Sequence, residues 1–182
     1  MNVFVAGTDT SAATVTWAMS FLMKHPNCLK TSQDEVRNLV GRKGLQPIAP
    51  LLVPRETLGK CSIGGYEIPA KSLVFVNAWA IGRDPGAWEN PEEFRPERFI
   101  GSSIDYKGLH FELIPFGAGR RICPGMRMGV ATVELALANL LYKFDWGMPA
   151  GMTEEDIDFD ALPGVTAHKK THLILVPRKI DD

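Results

Sequence analysis

The chain has 182 residues, 45% of them hydrophobic and 23% charged, with a formal net charge of -1. That length supports one domain with a sizeable core, and the near-neutral balance gives no electrostatic footprint for nucleic acid. The cysteines, Cys28, Cys61 and Cys123, stand far apart with no C-x-x-C pair, so neither a zinc knuckle nor a disulfide framework is signalled and reduced thiols are expected.

From Val3 to Lys24 the helix formers are apolar on nearly every face, which predicts a central helix buried among others. Asp9 and the hydroxyls of Thr8, Thr10, Ser11, Thr14 and Thr16 interrupt the run, which rules against a membrane span, and the basic flank of a signal peptide is missing. Pro26 ends this helix and suits the first turn of a second one reaching about Val40, with Leu29, Val36 and Val40 on one side and Gly41 as its stop.

Leu45 to Arg55 holds Pro47, Pro50 and Pro54, which bar a helix and favour extended chain. Two short strands follow, most economically as a hairpin: Cys61 to Ile68, with its Gly64-Gly65 turn, and Ser72 to Asn77, rich in valine and phenylalanine. Asp84 to Arg98, with Pro85, Pro91 and Pro96, predicts an irregular surface loop. Met126 to Phe144 reads as a long helix whose small residues Gly129, Ala131, Ala136 and Ala138 permit close approach by something flat or bulky. Gly147 to Gly164 is turn-rich, and Leu173 to Val176 is strand-like and stops at Pro177. The sum is a mainly α chain with small β-sheets.

The stretch Phe116-Gly117-Ala118-Gly119-Arg120-Arg121-Ile122-Cys123-Pro124-Gly125 sets one cysteine among glycines and arginines just before that long helix. A thiol is mostly protonated at neutral pH, so a cysteine that acts as ligand or nucleophile needs positive potential nearby. Arg120, Arg121 and the N-terminus of the helix supply it, while Gly117 and Gly119 let the backbone turn tightly beside a ligand. An inert buried cysteine is the plainest alternative. A phosphate cradle lacks its G-K-[ST] ending and would lose an N–H at Pro124. A catalytic cysteine wants a histidine base, and His25, His110, His168 and His172 have no spacing that nominates one.

The stretch resembles the haem-binding loop of the cytochrome P450 family, haem-thiolate monooxygenases with the signature F-G-x-G-x-R-x-C-x-G, every fixed position of which is present. Ala6-Gly7-Thr8-Asp9-Thr10-Ser11 resembles the family's oxygen-activating helix segment, Pro96-Glu97-Arg98-Phe99 the motif before the cysteine loop, and Val53-Pro54-Arg55-Glu56 a strand carrying a propionate-binding arginine. The general style looks like the plant microsomal branch. The resemblance implies the C-terminal, haem-binding part of the family fold, incomplete, as a single domain over 1–182. Its parts would be an oxygen-activating helix at 1–24, an extended region at 45–77, an irregular stretch with the cysteine loop at 84–125 and a helix at 126–144.

By that resemblance Cys123 is the iron ligand of haem b, and Arg121 and Arg55 bind its propionates. Phe116, Gly117, Gly119 and Gly125 complete the cofactor site, and Asp9 and Thr10 carry the catalytic proton relay. The implied activity inserts one oxygen atom from dioxygen into a small lipophilic substrate with electrons from an NADPH-dependent reductase, at the endoplasmic reticulum membrane surface. Cytoplasmic residence is the alternative for a chain without an anchor. Leu51-Leu52-Val53 and the residues preceding Ala6 are the segments left to face a substrate.

The family's Glu-x-x-Arg helix is not found between the second helix and the proline-rich strand, since Gly44 runs directly into Leu45-Gln46-Pro47. Glu92-Glu93-Phe94-Arg95 fits the spacing by coincidence, between Pro91 and Pro96. Without that helix Arg98 would lose its carboxylate partner, so it either reaches solvent or leaves the cysteine loop badly supported. The alternative reading of the chain is therefore a truncated, non-catalytic family fragment that binds no haem or acts only through a partner.

Overall fold

The computed structural model describes residues 3–38 and 49–180, with side chains from residue 4 to 35 in the first stretch. The expected end of the second helix at Val40, its stop at Gly41 and the extended start at Leu45 lie outside the described residues.

Helix α1, Val3–Lys24, has the bounds its composition predicts. Burial, however, is confined to its second half, where Ala13, Met19, Ser20, Leu22 and Met23 are buried, whereas Phe4 and Val5 are 81% and 59% exposed. The reason is what lies against it. Met19 and Leu22, with Val15, pack on Cys28 and Leu29 of α2, Pro26–Asn38, and on Leu137, Leu140 and Leu141 of α4, Met126–Lys143. The hydroxyls along α1 need no outside partner, because Thr8, Thr10, Thr14, Thr16 and Ser20 each donate to the carbonyl four residues back.

Among the described residues, three two-stranded antiparallel ribbons accompany the helices. The predicted hairpin is corrected in its partners. Strands β2, Cys61–Ile63, and β3, Tyr66–Ile68, close on themselves around Gly64 and Gly65, whose φ angles of 58° and 84° suit a primed two-residue turn. The valine-rich run, β4 at Leu73–Val74, pairs instead with β1, Arg55–Glu56. Thr57 locks that pairing: its N–H donates to the Ser72 carbonyl at 3.1 Å, and its Oγ1 accepts from the Ser72 N–H at 2.9 Å.

Two further boundaries shift. Helix α4 stops at Lys143, one residue short of the expected end, because Phe144 adopts extended φ and ψ and opens β5, Phe144–Gly147. Its partner β6 is Val176–Lys179, beyond the predicted Leu173 to Val176 run, with Trp146 opposite Pro177. A two-stranded ribbon leaves an edge on which a proline needs no donor. A short helix unforeseen from the sequence, α3 at Ala78–Ile81, is capped by Asn77, whose Oδ1 accepts the Ala80 N–H at 3.0 Å. Asp84 to Arg98 winds in turns as expected and ends in a 3-10 turn at Pro96–Phe99.

The segment before β6 is laid on α1. Phe159 stacks on Trp17 at 6.1 Å and meets Phe21 at 4.6 Å between ring centroids, and the Trp17 indole N–H donates to the Ala167 carbonyl at 2.7 Å. Buried Lys169 pairs with the Asp158 carboxylate at 3.0 Å and also donates to the Asp158 carbonyl at 2.6 Å. The Lys169 hydrogen bond, then that of Thr171, holds the Asp158 carboxyl below its ordinary 3.8. A folded-state pKa below the unfolded one contributes stability that is full above pH 3.8 and is lost as pH falls through the folded value. Hydrogen-exchange protection of residues 158–170 should accordingly decline below pH 3.8, and Asp158→Asn should remove that acid-dependent decline.

Candidate functional site

The cysteine loop is built from three backbone devices. Gly117 and Gly119 take φ angles of 73° and 69°, a region only glycine enters without strain. The Cys123 N–H donates to the Phe116 carbonyl at 2.9 Å, and the Ile122 N–H donates to Gly119 at 3.1 Å across the 3-10 turn Gly119–Arg121. Gly125 then opens α4 with no side-chain cap, so the positive end of the helix stands next to an exposed Cys123.

The surroundings are clear of side chains where a flat group would lie. A Cβ at Gly119 would meet nothing within 4 Å, one at Gly125 would meet only the Cys123 Sγ at 3.9 Å, and one at Gly129 only the Phe116 ring at 3.9 Å. Arg55 reaches the loop from β1, since a Cβ on Gly117 would lie 3.5 Å from its Nη2 and 3.6 Å from Leu52 Cδ1. Arg120 and Arg121 are exposed on the 3-10 turn. A thiol, flanking guanidinium groups and a glycine-cleared surface are a donor set that fits an anionic, planar iron cofactor.

The structure thus gathers Arg55, Phe116, Gly117, Gly119, Arg121, Cys123 and Gly125 on one loop and its neighbour strand. Asp9 and Thr10 find their hydrogen-bond partners elsewhere. Thr10 donates to the Ala6 carbonyl at 2.7 Å, and Asp9 Oδ2 lies 3.2 Å from His168 Nε2, a pairing for which residue spacing carries no signal. Leu52, expected among the substrate-facing residues, is instead buried with Ala78 and Ile114 under the loop. Leu51 and Val53 on either side of it are 47% and 60% exposed.

Arg98 is half-buried, and its hydrogen bonds lie at the exposed surface of the turns before the cysteine loop. Its guanidinium donates to the carbonyls of Glu89, Asn90, Glu93 and Arg95 at 2.9 to 3.1 Å and lies over the Trp88 ring. Glu92 and Arg95, which imitate the helical charge motif, sit in turns and pair with Arg83 and Glu89 at 3.2 and 3.9 Å. Loop carbonyls have therefore taken the place of a carboxylate partner.

A helical protein that presents an exposed cysteine from a glycine turn at the uncapped head of a long helix is the class that fold and site define. The model of the family described as Cytochrome P450 matches residues 1–44 and 45–176. Cytochrome P450 71B23 of Arabidopsis thaliana is 51% identical over 201 aligned positions, covering 98% of this chain and 40% of that protein. Cytochrome P450 71A1 of Persea americana is 49% identical with the same coverage, and desmethyl-deoxy-podophyllotoxin synthase of Sinopodophyllum hexandrum is 48% identical, covering 100% of this chain and 40% of its own length. A zebra fish cytochrome P450 solved with abiraterone superposes with a TM-score of 0.79 at 29% identity, covering 96% of this chain and 45% of the other.

The chain belongs to the cytochrome P450 family and spans about 40% of the length of the curated relatives it matches. An alignment of 201 positions exceeds the 182 residues present, so the relative carries at least 19 residues within the matched region that this chain lacks (201 minus 182). The family match divides at 44/45, where the sequence passes from Gly44 to Leu45 without the Glu-x-x-Arg helix.

The Arg98 arrangement has a measurable consequence. Arg98→Ala would hand four exposed loop carbonyls over to solvent and should cost about 1 kcal/mol in urea unfolding. Arg98→Lys should recover little of it, because an ammonium cannot spread its donors over the same fork.

Proposed function

We propose that this chain carries the haem-thiolate site of a monooxygenase, with Cys123 as the iron ligand. The observation that carries the reading is the exposed Cys123 thiol, held by the Phe116 carbonyl in a glycine-cleared loop at the uncapped N-terminus of α4. Haem b bound there would supply the chemistry by which one atom of dioxygen enters a small lipophilic substrate, with electrons from an NADPH-dependent reductase.

The chain's own residues divide the remaining work. The helix N-terminus and Arg121 place positive potential beside Cys123. Arg55, beside Gly117, and Arg121 pair with the cofactor's propionates. Gly119, Gly125 and Gly129 leave the surface open, while Phe116 packs its ring against the Gly129 position of α4. Asp9 and Thr10, adjacent on α1, would bind water and hold a proton for transfer, which would require the Thr10 hydroxyl to leave the Ala6 carbonyl and Asp9 to leave or share its pairing with His168. Among the described residues no helix is long and apolar enough to cross a membrane, and placement at the endoplasmic reticulum surface is carried by likeness to the plant relatives.

A second reading is favoured by one observation, the at least 19 aligned positions that the relative has and this chain lacks. In it the chain is a non-catalytic member that holds no haem or acts only through a partner. One experiment separates the two. The chain is reconstituted with haem, reduced and exposed to carbon monoxide; the first reading expects the strongly red-shifted Soret band of thiolate ligation, abolished by Cys123→Ser. No band, or an identical band in Cys123→Ser, rejects the first reading in favour of the second. Where the band forms, Arg55→Ala should weaken haem retention about tenfold, close to 1.4 kcal/mol.

A further inference from the structure

We propose that Gly108 is a positioning residue for Cys123: its missing side chain lets the turn at residues 105–108 seat directly on both limbs of the cysteine loop and fix how far the thiol projects. Gly108 is buried and has a φ of 85°. A Cβ built on it would lie 2.8 Å from Ile122 Cδ1, 3.1 Å from the Gly117 carbonyl oxygen and 3.4 Å from Ala118 Cα. Two of those atoms are backbone on the limb that enters the loop. The third belongs to the residue just before the cysteine on the limb that leaves it.

The turn that carries Gly108 is tied to itself and to the cysteine loop by local contacts. The Asp105 carboxylate accepts the Lys107 N–H at 2.9 Å and pairs with the Lys107 ammonium at 3.3 Å. The Tyr106 ring meets the Phe116 ring edge-on, with centroids 5.9 Å apart. Phe116 is the residue whose carbonyl receives the Cys123 N–H. The 105–108 segment thus meets the cysteine loop through Tyr106 on Phe116, and the empty side-chain position of Gly108 faces Gly117, Ala118 and Ile122. A side chain at position 108 would be strained by the φ of 85° and would need the Gly117 carbonyl to give by a few tenths of an ångström, whereas the Ile122 methyl can swing away.

The spectroscopic part of the proposal rests on Cys123 being the iron ligand, whereas the geometric part does not. Both are read on the whole 182-residue chain. In the haem-free chain, Gly108→Ala should raise amide exchange at Ile122 and Cys123 by about tenfold while Leu141, buried in the helix cluster, keeps its protection. Gly108→Ala/Ile122→Val, which removes the methyl at 2.8 Å, should recover part of the loss. Tyr106→Ala adds no volume and so serves if the glycine variants do not fold; it too should loosen Cys123 before Leu141. With haem, the same variants should convert the red-shifted carbon monoxide band into the unshifted one. Unchanged exchange at Cys123 in Gly108→Ala or Tyr106→Ala, or an equal loss at Leu141 in Tyr106→Ala, would overturn the proposal. Absence of any red-shifted band in the unsubstituted chain would sink the haem-thiolate reading instead, and the exchange data would still decide the role of Gly108.

Discussion

The hydrogen bond from the Cys123 N–H to the Phe116 carbonyl, 2.9 Å long, is the constraint on which the site depends. It closes a loop whose interior would otherwise be free to swing, and it is made possible by the left-handed turns at Gly117 and Gly119. Once closed, the loop has an inner side against Leu52 and Ile114 and an outer side where Cys123 is exposed. The next residues enter α4 at once, because Gly125 leaves the first helical N–H groups uncapped. One short bond thus joins an apolar cluster, a turn of required glycines and a helix dipole into a single presentation of sulfur.

Support for this loop is mostly backbone-mediated. Arg98 gathers the turns before it through carbonyls, and a side chain on Gly108 would fall against main-chain atoms of Gly117 and Ala118. Ion pairs such as Lys60 with Glu67 and Lys170 with Asp160 lie on exposed surface, where solvent and salt reduce them to little. The stability of the cysteine loop should therefore respond more to volume and backbone conformation than to ionic strength. This is the physical reason why loss of a charged helix need not empty the position: a planar cation with five donors can be satisfied by carbonyls as well as by a carboxylate.

Much of this was legible in the residues. The bounds of α1 follow from helix formers ending at a proline, and the left-handed glycines of the loop follow from their type and spacing. Strand partners were not legible, because alternation says which face of a strand is buried and nothing about the chain opposite. Leu73–Val74 could pair with the nearby hairpin or with Arg55–Glu56, and the local Gly64-Gly65 turn decided the matter by closing the hairpin first. Position 108 was equally silent, since a lone glycine between Lys107 and Leu109 looks like any loop glycine until the atoms of Ile122 and Gly117 stand beside it. The Asp9 and His168 pairing joins residues far apart in sequence, and only the loop lying across α1 brings them together.

Helix α4 shows how local the loop's supports are. Val130, Val133 and Leu141 are buried, yet Met128 and Leu135, one heptad apart, are 77% and 66% exposed, and Tyr142 a further heptad along is 54% exposed. A helix apolar on two sides is of the kind that lies inside a larger packed body, and so is the exposed start of α1 at Phe4 and Val5. The residues that shape the cysteine loop draw on neither of these faces. Leu52, Arg55, Tyr106, Gly108, Ile114 and Phe116 approach it from β1 and from the turns immediately before it. The projection of Cys123 is set by contacts the chain makes within itself.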